Sequence, residues 1–266
     1  MALVRATLVL SLFGLQTALA GPPFRTDDPV PVAFGHFELY TAAIGTHVKV
    51  ETSGGLPSVE LTYGLIPNGQ LQIGGELAFD SSGEGTHFGY GDTQLSFKYR
   101  FIQEQTNGFI PQVAVFPAIF FPTGTERRGL GAGHISVFLP VWAQKSFGDW
   151  TTYGGGGYWV NQDEKTGDKN FWFFGWLLQR KVTEKLTLGA EIFHQTADTT
   201  GGSASADFDL VGFADIPGGK ASTGFSLGGS YDFDEHNHVL FSAGTGLQNA
   251  SQTNLGSWYL GWEITY

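Results

Sequence analysis

The sequence predicts an all-β protein, a single closed antiparallel transmembrane β-barrel of about 12 strands with short periplasmic turns and longer outer loops. Two observations lead to this prediction. Segments of about ten residues alternate apolar and polar side chains, which places the two kinds on opposite faces of a strand. The connections between these segments alternate between short and long along the whole chain, as expected when strands cross a membrane back and forth.

About twelve segments have strand character. They are roughly 36–45, 58–65, 70–79, 92–102, 109–121, 134–145, 149–161, 171–181, 185–196, 222–233, 238–246 and 257–266. Proline cannot donate to a strand ladder, so we expect bulges or a shifted register at Pro111, Pro117 and Pro140. Segments 109–121 and 171–178 are apolar on both faces, and the pattern there leaves open which face points inward.

The first residues have the pattern of a secretory signal peptide. Arg5 supplies a positive start, Leu8 to Leu15 form a short apolar core, and Ala18-Leu19-Ala20 gives a cleavage site. We therefore expect a signal peptide over 1–20, a periplasmic N-terminal arm over 21–35 and the barrel over 36–266. The sequence leaves open whether the arm plugs the pore.

The C-terminal strand shows the alternation most clearly. Trp258, Leu260, Trp262, Ile264 and Tyr266 occupy every second position, and the chain ends on the last of these rings. This ending resembles the signal by which bacterial outer-membrane barrels are recognised for assembly. It predicts localisation in the outer membrane, with the membrane lipids and, through Tyr266, the assembly machinery as partners.

Composition excludes several other classes of protein. The chain has 25 acidic and 14 basic residues and a net charge of −11, which argues against a nucleic-acid binder that neutralises phosphates. It has no cysteine, so neither disulfides nor thiolate metal sites can form. Its 39 glycines and 15% aromatic residues are unusual for a globular enzyme. The sequence gives no reason to expect a cofactor or a metal.

Three short motifs resemble a known exported family. They are Arg25-Thr26-Asp27-Asp28-Pro29, Gly35-His36-Phe37-Glu38-Leu39-Tyr40 and Pro122-Thr123-Gly124. The chain is similar in these motifs to the family named for a MetA pathway of phenol degradation. The resemblance implies an outer-membrane barrel, often described as a transporter, with no established catalytic residues.

Charged side chains on the polar faces of the strands are the first candidates for lining the lumen. By alternation, the inward-facing set is Glu38, Glu60, Glu76, Lys98, Arg100, Glu191 and Glu263. These charges would be costly against lipid, so an inward polar network is the consistent placement. They would form either a path selective for polar or cationic solutes or a ladder of cross-strand ion pairs, and we expect the ladder.

Aromatic side chains are the second set of lumen candidates. On the middle strands we expect Phe116, Phe120, Phe138, Trp142, Trp172, Phe174 and Trp176 to face inward. Such a strip could pass apolar or aromatic molecules, or the rings could simply fill the bore or rest on the Pro-rich segment 22–34. A barrel of eight strands is nearly filled by side chains and one of about 16 holds an aqueous channel, so strand number does not decide between these.

The expected function is passive transport of small, hydrophobic or aromatic molecules, and the sequence does not identify the solute. One alternative is a non-conducting structural or binding barrel with a filled lumen. Another is an outer-membrane esterase or lipase, because His134 and Ser136 have the spacing found in outer-membrane phospholipases. Both side chains should face inward, however, and the sequence shows no nearby partner to orient His134, so we assign no catalytic residue.

Overall fold

The computed structural model describes residues 22–83, 85–105, 108–161, 163, 167–198 and 219–266. The predicted signal peptide lies outside these residues, as does most of the long connection after residue 198. Within the described ranges, no helix has the length and apolarity needed to cross a bilayer.

The described chain is almost entirely β-structure. The strands are β1 (Phe37–His47), β2 (Glu51–Ile66), β3 (Gly69–Ser82), β4 (Gly85–Tyr90), β5 (Thr93–Ile102), β6 (Gln112–Val115), β7 (Ala118–Phe121), β8 (Ser136–Phe147), β9 (Trp150–Val160), β10 (Phe171–Lys181), β11 (Leu186–Gln195), β12 (Ser222–Asp232), β13 (Asn237–Gln248) and β14 (Gly256–Thr265). A short 3₁₀ turn, Glu126–Arg128, follows β7, and a single helical turn, Ala250–Thr253, precedes β14.

The sheet closes on itself, which confirms the predicted barrel. Every neighbouring pair of strands is antiparallel, and β1 pairs with both β2 and β14. The strands β4 and β5 both pair with β3, and the strands β6 and β7 both lie between β5 and β8. Each of these two pairs therefore takes the place of a single strand, one position, in the barrel wall. The fourteen strands therefore make a closed barrel of twelve positions, as predicted.

One of the expected proline interruptions breaks a strand. β6 ends at Val115 and β7 begins at Ala118, with Pro117 in the gap between them. At Pro140 the expected bulge or shift of register is absent, because β8 keeps its register opposite Gly157 on β9 and on both sides of the β6–β7 gap. Pro140 lies beside the gap and its carbonyl accepts from Phe116 N–H at 3.3 Å. A single interruption of the ladder thus accommodates both Pro117 and Pro140. Pro111 needs no bulge, since β6 begins after it at Gln112.

The outer surface carries the apolar face of the alternation. Leu95, Leu139 and Leu260 are 37%, 49% and 58% exposed, whereas Glu76 and Lys98 are 6% and 2% exposed and point inward. An apolar exterior and a charged interior are typical of a barrel that spans a membrane, because only the interior offers water and polar partners. The predicted placement of these two faces is confirmed.

The N-terminal arm lies inside the barrel, so its predicted periplasmic position is wrong for residues 22–32. These residues are largely buried, whereas 33–36 are exposed at the end of the barrel. Gly35 has a φ of 83°, a left-handed conformation that suits glycine, and its N–H donates to Gly64 O at 2.9 Å. The chain reverses at this turn, so the arm runs back into the lumen from the end where β1 begins.

Candidate functional site in the barrel lumen

One wall of the lumen, formed by β14, β1 and β2, carries a row of acidic side chains. Tyr40 lies opposite Glu60 on β2 and opposite Glu263 on β14. Its hydroxyl is 2.8 Å from Glu38 Oε2 and 3.0 Å from Glu263 Oε1. A phenol has one proton to donate, so the second contact is favourable only when that carboxyl carries a proton itself. No basic side chain forms an ion pair with these acids among the residues that the structure describes.

The charged residues named from the sequence all face the interior, but they do not form the expected ladder. Glu60, Glu76, Glu191 and Glu263 are buried along with Lys98, and Glu38 and Arg100 are half-buried. Arg100 donates to Gln112 Oε1 at 2.9 Å and to Asn68 Oδ1 at 2.8 Å, both of which are neutral groups. Lys98 and Glu191 both bind the arm rather than a neighbouring strand. The ladder prediction is wrong because acids outnumber bases inside the barrel.

The opposite wall, formed by β6 to β11, is aromatic. Phe116, Phe120, Phe138 and Trp142 are all buried inside the barrel, in the inward positions expected of them. The prediction is wrong for Trp176, as well as for Trp172 and Phe174, which are 55%, 47% and 47% exposed on the outer face. β10 instead turns Phe171, Phe173 and Leu177 inward. Its sequence is apolar on both faces, so alternation alone could not fix which set points inward.

Several rings of this wall were missed from the sequence. The interior cluster also includes Trp159, Phe171, Phe173 and Phe193. Phe138 stacks on Trp159 with ring centroids 4.6 Å apart, and Phe173 stacks on Phe193 at 6.4 Å. A signal for Phe193 was present, because it lies two residues after the inward-facing Glu191 and so shares its face.

The arm is attached to the barrel by an ion pair in its middle. Lys98 Nζ lies 3.0 Å from Asp27 Oδ1 and 4.0 Å from Asp28 Oδ2, and it also lies 4.6 Å from the centroid of the Phe116 ring. Burial raises the pKa of the Asp28 carboxyl, and the neighbouring charge of Lys98 opposes this rise. Asp28 also caps the local turn, since its Oδ1 accepts from Val30 N–H at 2.6 Å.

Further contacts fix the deeper part of the arm. Thr26 donates from both its N–H and its hydroxyl to Glu191 Oε1, the hydroxyl at 2.7 Å. Gly175 makes room for this contact, because a Cβ there would lie 2.0 Å from Thr26 Oγ1. Ser242 donates to the carbonyl of Pro23 at 2.5 Å. The arm therefore crosses the lumen and is bound by side chains from strands on different sides of it.

The esterase candidates lie inside the barrel with a partner that the sequence did not reveal. Asn161, at the far end of the β8–β9 hairpin, accepts from the Ser136 hydroxyl and lies 3.1 Å from His134 Nε2 through the same Oδ1 atom. The serine proton is thus directed to the amide and not to the imidazole. A histidine acting as general base would need that proton, so the arrangement is not that of a nucleophile–base pair.

Solved structures similar to this chain include outer-membrane channels and porins. The COG4313 outer membrane channel from Pseudomonas putida F1 aligns with a TM-score of 0.71 and 14% identity, over 90% of this chain and 98% of that chain. The NanC porin aligns at 0.56 and 8% identity, over 86% and 98% of the two chains. The KdgM porin aligns at 0.54 and 6% identity, over 85% and 99%. At these identities the likeness concerns the fold.

No curated protein sequence matches the chain. A family profile, in contrast, matches residues 36–263, which is nearly the whole barrel. The chain therefore belongs to the family described as "Putative MetA-pathway of phenol degradation".

Proposed function

We propose that the protein is a passive channel of the bacterial outer membrane, which admits small molecules through the lumen and is narrowed by residues 22–32. The family and the fold support this proposal, since the similar structures are channels and porins. The observation that carries it is the polar interior of the barrel. No covalent chemistry is required of any residue.

The polar wall between the acidic and aromatic walls is the strongest support for a hydrated path. Four of the buried inward positions on β3 and β5 carry neutral polar side chains, namely Gln70, Gln72, Gln94 and Ser96. Such side chains are costly in a dry core but are typical of a barrel lumen that admits water. The arm takes up part of the bore of this twelve-position barrel, so its position determines how much of the lumen stays open.

The aromatic wall supports small apolar or aromatic solutes as cargo. Phe138, Trp159 and Phe171 stack in sequence, with centroid distances of 4.6 and 5.4 Å, and form a continuous apolar surface along one side of the lumen. A flat apolar molecule could move along this surface while its polar groups face the opposite wall.

The second candidate function is a non-conducting barrel, and the position of the arm favours it. An arm held by Lys98, Glu191 and Ser242 occupies space that a solute would need. The two functions differ in the behaviour of the arm. In a non-conducting barrel the arm stays in the lumen permanently, whereas in a channel it can move out of the lumen.

Conductance in planar lipid bilayers separates these functions. We expect the full chain to show a small or intermittent single-channel conductance, and deletion of 22–32 to raise it several-fold by widening the bore. The folded state of both proteins is checked by the shift in electrophoretic mobility on heating. If neither protein conducts ions nor admits solutes into liposomes, the channel proposal is wrong and the filled barrel is supported.

A further inference from the structure

We infer that the lumen contains a recognition site for organic cations, formed by Phe193, Glu191 and Thr46, which the arm's own Arg25 occupies in this structure. The ligands would be guanidinium or ammonium compounds with an aromatic or aliphatic body. This inference rests on the proposed function, because it names the class of solute that the channel would take.

The surroundings of Arg25 are those of a bound cation. Its guanidinium carbon lies 5.0 Å from the centroid of the Phe193 ring, within the range of a cation–π interaction. Its Nη2 lies 3.4 Å from Thr46 Oγ1. Glu191 lies two residues before Phe193 on β11, so its carboxyl is on the same face of the strand, where it accepts from the neighbouring Thr26. A ring face, a hydroxyl and a carboxylate are the groups that would hold a small organic cation in the same place.

The barrel wall builds this site, and the arm only fills it. Phe193 is 1% exposed and lies between Gly175 and Gly224 on the neighbouring strands. A Cβ at Gly224 would lie 2.5 Å from the tip of the Phe193 ring, so the ring needs the glycine beside it in order to occupy this place. The second oxygen of Glu191 accepts no hydrogen bond from the part of the chain that the structure describes, although the side chain is 3% exposed. It is therefore available to a further donor.

The composition of the lumen wall favours the same class of ligand. Glu38, Glu60, Glu76, Glu191 and Glu263 face inward, against Lys98 and Arg100. This excess of carboxyl groups offers acceptors for the N–H donors of a guanidinium or ammonium ion and disfavours a carboxylate ligand. Lys98 over Phe116 repeats the pairing of a cation with a ring of the aromatic wall.

A consequence is that the solute and the arm compete. A cation that binds against Phe193 must displace Arg25, and displacement removes one of the contacts that hold the arm. By linkage, a solute that binds only when Arg25 has left shifts the arm toward its released position. The cargo would thereby widen its own path.

Binding is tested on the full chain in detergent with three ligands of similar size, namely benzylguanidinium, benzyl alcohol and benzoate, by calorimetric titration. We expect benzylguanidinium to bind most tightly and benzoate not at all. Phe193→Leu should weaken benzylguanidinium binding by about three- to tenfold, the worth of one cation–π contact. Arg25→Gln should strengthen it, because the internal competitor is gone. Phe174→Leu, which removes a ring from the outer face of a neighbouring strand, is the matched control and should change nothing.

The failure of this inference can be distinguished from that of the channel proposal. Equal binding of benzylguanidinium and benzyl alcohol, or unchanged binding in both Phe193→Leu and Glu191→Gln, would overturn the inference even if the barrel conducts. Selective binding of the cation by a barrel that never conducts would support the inference and overturn the channel. Each variant is first shown to be folded by its heat-dependent electrophoretic mobility, and Glu191→Gln provides the test if Phe193→Leu does not fold.

Discussion

Replacing Lys98 with Met tests whether the ion pair to Asp27 and Asp28 holds the arm inside the barrel. The lysine side chain is 2% exposed, and its partners are 15% and 1% exposed, so the three groups are well shielded from water. Methionine fills a similar volume without the charge. The variant therefore removes the cation from two buried carboxyls and leaves the packing of β5 nearly unchanged.

We expect the substitution to weaken the binding of the arm in the lumen and to leave the stability of the barrel unchanged. Removing one partner of a buried ion pair costs about 3–5 kcal/mol. We expect the lower end, about 3 kcal/mol, because Asp27 is partly exposed and Asp28 can take up a proton. The strand ladder does not depend on this side chain, so the loss shifts the arm toward its released position by about a hundredfold.

Two measurements detect the released arm. Single-channel recording should show a longer open time in Lys98→Met than in the unaltered chain. Trypsin should cleave after Arg25, the only basic residue between positions 22 and 48, and mass spectrometry would detect the loss of the preceding residues.

Lys145→Met is the matched control. Lys145 pairs with Glu104 at 2.8 Å, and the two side chains are similarly shielded, with exposures of 11% and 17%. Within the described residues, the hydrogen bonds of these two side chains involve only Gln105 and Ser146 besides each other, and none of these residues belongs to the arm. The ion pair does not hold the arm if Lys98→Met keeps the open time and trypsin resistance of the unaltered chain, or if Lys145→Met changes both to the same extent.

Three further predictions follow from the same contacts. Gly175→Ala should raise the conductance while the barrel stays folded, because the new Cβ would lie 2.0 Å from Thr26 Oγ1 and displace the arm; unchanged conductance would show that the arm adapts. Burial raises the pKa of Asp28 in the bound arm, with Lys98 opposing and Asp27 and Glu38 adding to the rise. The bound arm therefore holds a proton that the released arm loses at about pH 4, so binding weakens as the pH rises from there to about 7. Conductance should increase over this range, and a pH response that persists in Asp28→Asn would contradict this cause. Tyr266→Ala should lower the amount of folded barrel in the outer-membrane fraction of cells, and an unchanged amount would remove the proposed role of the C-terminal ring in assembly.

The fold could be predicted for the strands that carry apolar side chains on one face and charged side chains on the other. In β5, Leu95 and Lys98 belong to opposite faces, and the cost of placing a charge against lipid decides which face points inward. The same cost places Glu76 and Glu263 inside the barrel. On β10 both faces are apolar, so neither is costly against lipid, and the prediction that Trp176 faces inward is wrong.

The contacts inside the lumen could not be predicted, because they join residues that are far apart in the chain. Lys98 on β5 and Asp27 of the arm are 71 residues apart in the chain and come together only inside the folded barrel. The pattern of alternation specifies the face of the sheet on which a residue lies, but not the residue that faces it across the bore.

The sequence by itself determined a closed membrane barrel, the inner and outer faces of its alternating strands, and an acidic interior. The reason is that the polarity of each side chain decides whether its free energy is lower against lipid or in the lumen. Only the tertiary structure decided the position of the arm. Residues 22–32 have no alternating pattern of apolar and polar side chains that could place them. They lie in the lumen because side chains of three different strands meet there and bind them: Lys98 binds Asp27, Glu191 binds Thr26, and Ser242 binds Pro23.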